Sequence, residues 1–424
     1  MKLTGELLVE NMTDEEKERA ELVESLLPAL RDQASDADLK GEFFLPHLDL
    51  FREKGLTGLI VPREFGGLGG NLRDLTAATF AMGTACPSTA LAFFFHCSTA
   101  SRGLLGLEAI EAGLFEKGDI EKVKAFAHRL LTKMGSERLW LANFASESNK
   151  SSTARVTIST EATKTKGGWL LNGSKSFGCS TGVADEYLVT AKLAGTDTAD
   201  GLCVFFVKRD IEGVTERQHW DSIGMRACAN HGVNLRNVFV ADEDCLALKG
   251  AFVKMMQMSR GTFVGNQLAG TAIYVGAAQA VFDFALNRLK SMTFSDTGKS
   301  IAESPMHKAL IGKMSNDLET AYLWLRRQIE LETSNPPILT KDRVVRQWRL
   351  AKGAMCEAAF NVAVNAFKAC GTSNTGNSGV IARGLRDLSM GLVQAFPAER
   401  GRLEAADMTI RETILQDFGT AANR

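Results

Sequence analysis

The stretch Trp169-Leu-Leu-Asn-Gly-Ser-Lys-Ser-Phe-Gly-Cys-Ser-Thr-Gly-Val-Ala-Asp-Glu-Tyr187 decides how the chain is read. Trp169 to Leu171 is a short apolar run. Asn172-Gly173 is a strong two-residue turn signal, because both turn positions want positive φ. The spacing predicts a β-hairpin turning at Asn172-Gly173. Past the turn, Lys175, Phe177 and Cys179 alternate with Ser176, Gly178 and Ser180, which puts Phe177 and Cys179 on one face. An aromatic ring, a glycine and small polar groups at a strand end suit a flat cofactor. An ordinary hairpin on a sheet is the plainer reading of the same residues.

Outward from this stretch the β texture runs from 138 to 245. Arg155-Val-Thr-Ile-Ser-Thr160, Leu202-Cys-Val-Phe-Phe-Val207 and Val233-Asn-Leu-Arg-Asn-Val-Phe-Val240 are rich in β-branched and aromatic residues. Turns at regular spacing predict a small antiparallel barrel or sandwich. Residues 1–137 read as helical, with Thr13 as a cap followed by three acids. Within them Gly66, Gly67, Gly69 and Gly70 make a pliable loop, but no strand–GxGxxG–helix unit surrounds it. His96 lies in an apolar run and reads first as a core histidine. Residues 246–424 are helical again: segments near 270–290, 306–332, 341–370 and 397–415 suit a four-helix bundle, broken by a loop at Gly371 to Gly379. The expected fold class is therefore a multidomain α+β chain, helical at both ends and β in the middle.

The 424 residues carry 49 Lys and Arg against 50 Asp and Glu. Such a balance gives no field for nucleic acid or anionic membrane and favours small-molecule chemistry. Eight cysteines are scattered without a CxxC pair, so they read as reduced, buried thiols that call for no metal. The start has no apolar signal region, and the longest apolar run, Ala90 to Phe95, is too short to span a bilayer. A cytoplasmic enzyme is the expectation.

Five stretches in order resemble the acyl-CoA dehydrogenase superfamily of flavoproteins over nearly the whole chain. Val61-Pro-Arg-Glu-Phe-Gly-Gly-Leu-Gly69 is close to P-x-E-x-G-G-x-G. Ser146-Glu-Ser-Asn-Lys-Ser-Ser-Thr153 stands where the family has T-E-P-x-x-G-S-D. Asn172 to Phe177 matches N-G-x-K-x-W, Gly224-Met-Arg226 matches G-x-R, and Arg386-Asp387 matches R-D. The resemblance implies FAD between the β region and the C-terminal bundle. It implies that the Phe144–Ser152 loop holds the flavin through Ser146 and Ser152, that Phe177 covers the ring, and that Cys179 stands beside its N5. It further implies that a neighbouring subunit grips the adenosine half through Phe294, Lys368 and Gly371, in a homodimer or homotetramer. Ser152 and Arg260 are implied on the substrate side.

A dehydrogenase takes the α-proton of a thioester while hydride moves to the flavin, which requires a poised carboxylate. The two positions where the family keeps it fall on Ala395 and Ser259. The nearest acid is Glu399, one helical turn past Ala395, where completing a helix N-terminus is its other use. The first reading is an acyl-CoA dehydrogenase with Glu399 as displaced base, handing electrons to an acceptor flavoprotein. A second is a flavin monooxygenase of the same fold, fed by a flavin reductase and needing no such base, with His96 as an acid/base candidate. A third is a non-catalytic subunit completing the site of a paralogue.

Overall fold

The computed structural model describes residues 3–148, 157–259 and 267–411. Six helices come first: α1 (Asp14–Glu24), α2 (Leu27–Lys40), α3 (Pro46–Glu53), α4 (Leu72–Ala85), α5 (Pro87–Glu111) and α6 (Lys117–Met134). Thr13 caps α1 in a capping box with Glu16, as its sequence predicts. The glycine-rich loop spends its N–H groups on the chain just before it: Leu68 donates to Gly58 O, Gly69 to Val61 O and Gly70 to Leu59 O, at 2.8–2.9 Å. It is a folded turn and leaves those donors unavailable to a phosphate.

Eight strands follow: β1 (Leu141–Phe144), β2 (Glu161–Thr165), β3 (Gly168–Lys175), β4 (Glu186–Leu193), β5 (Leu202–Lys208), β6 (Val214–Glu216), β7 (Val233–Ala241) and β8 (Cys245–Leu246). They form one curled sheet in the order β6-β7-β3-β2-β4-β5-β8, with β1 beside β4. Pairing is antiparallel except for β1–β4 and β2–β4.

The hairpin is displaced from its expected place. Asn172 and Gly173 lie inside β3, at a register shift against β7. The two-residue turn is Lys166-Gly167, joining β2 to β3, and Gly167 supplies the positive φ of 76°. Asn172 instead accepts a hydrogen bond from the Asn237 N–H at 2.9 Å, and Asn237 itself has φ 50°. The Asn-Gly pair therefore marks a bulge, where Gly173 has φ 154° and a Cβ would overlap Thr160.

The C-terminal part holds α7 (Ala251–Met256), α8 (Gln267–Ser291), α9 (Pro305–Thr333), α10 (Lys341–Cys370), α11 (Val380–Gly391) and α12 (Ala398–Arg411). The Arg386-Asp387 motif stands on α11, a helix additional to the four long segments read from the sequence. α8 is long and apolar enough to cross a membrane by composition, yet most of it is buried inside the fold. It packs on α4, where Thr79 Oγ1 donates to Ala269 O at 2.7 Å. One continuous cluster of buried apolar residues runs from Leu8 through the sheet to Phe396, so the three parts share a core.

Candidate functional site

After Lys175 the chain leaves the sheet, so the alternation that paired Phe177 with Cys179 stops there. Phe177 turns outward, 37 % exposed, and meets the ring of Trp220 edge-on at 4.7 Å. Cys179 turns inward and is buried against Cys228, which with burial raises its thiol pKa well above the ordinary value. The two residues therefore do not share a face. Between them, a Cβ on Gly178 would overlap the buried ring of Phe144, so only glycine lets the chain pass that close. Gly178→Ala is expected to destabilise the protein by about 1–3 kcal/mol through overpacking and to weaken flavin binding, read by melting temperature and flavin fluorescence titration.

The serine loop is fastened to the end of β3. Ser176 N–H donates to Ser146 O at 3.0 Å, and the Ser148 and Ser176 hydroxyls share a hydrogen bond of 2.5 Å. Beneath them Lys175, wholly buried, reaches Glu147 Oε1 at 2.7 Å and Thr190 O at 2.5 Å. Glu147 also accepts from the N–H and hydroxyl of both Ser159 and Thr160. Burial alone would raise its pKa, but the Lys175 ammonium and these donors bring it down to about 2. Burial pushes the Lys175 ammonium the other way, down to about 8. Ser152 lies outside the described residues, as does Arg260.

The Gly224-Met-Arg226 and Arg386-Asp387 motifs meet at a junction of all three parts. Met225, held at φ 53°, donates its N–H to Asp387 Oδ1 at 2.7 Å. Arg226 Nε donates to Asp38 O on α2 at 2.9 Å, and Arg386 pairs with the Asp38 carboxylate. Burial raises the Asp387 pKa to about 6. Tyr274 is buried within electrostatic reach of Asp387, Cys179 and Cys228, and its hydroxyl donates to Gln394.

Gln394 belongs to the loop in which the family keeps its base. Buried Lys352 on α10 holds that loop by donating to Gly391 O at 2.8 Å and Phe396 O at 2.6 Å. Ala395 projects from it at φ 61°, exposed. Ser259 stands elsewhere, in a cleft of about 830 Å³ walled by the glycine-rich loop, α5 residues Ser101, Leu105 and Glu108, and Met258. Glu399 opens α12 with its side chain 79 % exposed and Arg402 at 3.9 Å. It borders a separate pocket of about 400 Å³ with Lys352 and Cys356. Phe294, Lys368 and Gly371 are exposed at one end of the bundle, where α8 and α10 both finish and Arg288 Nη2 donates to Ser373 Oγ at 3.3 Å. They are far along α10 from Lys352: sixteen residues, about 24 Å of helix rise.

His96 is a core group. Nδ1 accepts from Leu141 N–H at 2.9 Å, Nε2 donates to Thr57 O at 2.8 Å, and the ring stacks on Trp140 at 4.4 Å. Burial lowers its pKa to about 4, so it is neutral and has both nitrogens engaged. Sequence reading passed over Lys175, Glu147, Asp387 and Lys352, which fasten the loops of this region. The signal for the first three was their place inside quoted motifs, where a charged residue flanked by strand or apolar helix residues needs a partner.

The donor set fits a flavin. An outward aromatic pair lies at the strand end, and small hydroxyls stand on a fixed loop. Among the described residues, the Gly178 and Cys179 N–H groups donate to no acceptor elsewhere in the chain. Models of the N-terminal, middle and C-terminal domains of acyl-CoA dehydrogenase match residues 13–107, 142–238 and 268–396. The chain belongs to the acyl-CoA dehydrogenase family and is a flavoprotein of that fold. It is 24 % identical over 322 residues to cyclohex-1-ene-1-carbonyl-CoA dehydrogenase of Syntrophus aciditrophicus, covering 76 % of this chain and 73 % of that one. It is 24 % identical over 361 residues to dibenzothiophene monooxygenase of Rhodococcus erythropolis, covering 81 % and 82 %. The FMN-bound structure of TdsC from Paenibacillus sp. A11-2 superposes with a TM-score of 0.79 at 21 % identity, over 95 % of this chain and all of that one.

Proposed function

We propose that this chain is a reductase-dependent flavin monooxygenase built on the acyl-CoA dehydrogenase fold, acting on a small organic molecule. The observation that carries this reading is the absence of a carboxylate at both base positions, Ala395 and Ser259, together with a Glu399 that faces solvent. Removing an α-proton needs a base over the substrate carbon; inserting oxygen does not. This reverses the order of the two leading sequence readings. A bound flavin, reduced by a separate reductase, supplies the electrons that activate oxygen.

The chain's own residues hold and shield. Phe177 and Trp220 would cover one face of a bound flavin ring and shield it from water. Lys175 and Glu147 keep the serine loop in register, with Ser146 and Ser152 as hydroxyl donors. Cys179 offers its backbone N–H at the ring edge rather than its buried thiol. FAD is the flavin that Phe294, Lys368 and Gly371 of a second copy would grip, in a homodimer or homotetramer. His96, with both nitrogens engaged, moves no proton.

One observation favours the acyl-CoA dehydrogenase reading with an electron-acceptor flavoprotein: Glu399 borders a pocket. Two assays separate the readings. The flavin-loaded protein is mixed without oxygen with a panel of acyl-CoAs, and then, with a flavin reductase, NADH and oxygen, with amines, aromatic heterocycles and carboxylic acids. The expected result is no bleaching in the first and products heavier by one oxygen atom in the second. Acyl-CoA bleaching that disappears in Glu399→Gln would restore the dehydrogenase reading.

A further inference from the structure

Arg102 takes no part in the roles above. It sits on α5 and is 3 % exposed. Its Nη1 faces the thioether of Met256 at 3.5 Å, and its guanidinium carbon lies 5.2 Å from the centroid of the Phe252 ring. Both partners are on α7. The large cleft lies next to this packing: its walls carry Ser101, the chain neighbour of Arg102, and Met258, two residues past Met256, while Arg102 itself is not part of the wall. Among the described residues, no oxygen accepts a hydrogen bond from this guanidinium, and its Nε is buried without a partner.

A guanidinium carries five donors, and here one meets a sulfur while the charge rests on an aromatic face. Cation–π contact is a weak substitute for a counter-charge. Burial lowers the pKa to about 9, so the group is still a cation near neutrality. A buried cation without an anion is costly. The two unused nitrogens, Nε and Nη2, form the side fork of the guanidinium, whose two parallel N–H groups match the two oxygens of a carboxylate.

We infer that Arg102 is a binding residue for a carboxylate borne by the substrate, received through the seam between α5 and α7. This deepens the proposed function and rests on it in taking the cleft's guest to be the substrate. The substrate class becomes carboxylic acids, or molecules carrying one free carboxylate away from the atom that is oxidised. Met256 and Phe252 then serve to keep the guanidinium aimed while the site waits for its anion.

The test compares hexanoate with hexanamide, which share a shape and differ in charge, on the flavin-loaded full chain by calorimetry at fixed ionic strength. Hexanoate is expected to bind roughly 10-fold tighter, or more. Arg102→Met should erase that preference, and Arg102→Lys should keep a reduced one. Equal affinity for the two probes, no binding of hexanoate, or a preference that survives in Arg102→Met each overturns the assignment. Losing an unpaired buried charge should leave the melting temperature of Arg102→Met equal or higher. If that variant fails to fold, Arg102→Gln carries the same comparison. No turnover is measured, so a failed monooxygenase assay leaves this outcome standing, and the reverse holds too.

Discussion

Lys175→Met is expected to lower stability by about 3–5 kcal/mol, as breaking a buried pair does when one charge is left behind, and to lose flavin during purification. Methionine fills the space of the lysine stem but strands Glu147, which keeps only the Ser159 and Thr160 donors. The loss spreads to the site because Lys175 also fastens Thr190 O, and the next residue, Ser176, bonds to both Ser146 and Ser148. Acid should expose the same pair. The Glu147 pKa is depressed in the fold, from 4.5 to about 2. Its contribution is therefore present above pH ~4.5 and lost as pH falls through about 2, and is worth about 3 kcal/mol at neutrality. In Lys175→Met the acid limb should move toward neutral pH. Urea unfolding at several pH values reads this, and the 450-to-280 nm absorbance ratio reads flavin retention. The double variant Lys175→Met/Glu147→Gln should recover part of the loss, since it removes both charges. Unchanged urea midpoints and full flavin content in the single variant would refute the coupling.

What the sequence revealed and what it hid have separate physical causes. Helix limits were legible where periodicity and caps coincide, as at Thr13, because those signals are local. The α–β–α order was legible for the same reason. The hairpin turn was misplaced because Asn-Gly reports only an unusual backbone. A bulge paired with β7 and a free turn both favour glycine, and only the partner strand tells them apart. The face shared by Phe177 and Cys179 failed because period two holds only while the strand lasts, and β3 ends at Lys175. The ion pair between Lys175 and Glu147 spans 28 residues, and Asp387 reaches Met225 across 162. No local pattern encodes distances of that kind. Arg102 was invisible for another reason: an arginine on an Ala- and Leu-rich helix reads as a surface residue until burial is known.

Asp387→Asn is expected to raise stability near pH 8 by about 1–3 kcal/mol while leaving it almost unchanged near pH 4. Asp387 is fully buried, and burial, with Asp38 adding to it and Arg383 and Arg386 opposing, raises its pKa from 3.8 to about 6. The folded value lies above the unfolded one. The protonated acid's contribution is thus fully present below pH ~4 and lost as pH rises through about 6, a difference of about 3 kcal/mol. This is opposite in sign to Glu147, so the two groups bend the pH–stability curve in different windows. Asparagine keeps an oxygen for the Met225 N–H and removes the buried charge; its two amide donors need partners, which trims the gain. Asp387→Ala should not show the same gain, because it leaves the Met225 N–H without an acceptor at a backbone already held at φ 53°. Urea midpoints of the three proteins at pH 4.5, 6 and 8 decide the matter. Parallel curves for wild type and Asp387→Asn would mean that Asp387 does not titrate in this window. A diverging pair would mean that the chain keeps a destabilising carboxylate to clamp the Gly224-Met-Arg226 loop to α11. That is what a junction beside Tyr274 and the Ala395 loop requires if its geometry matters more than its stability.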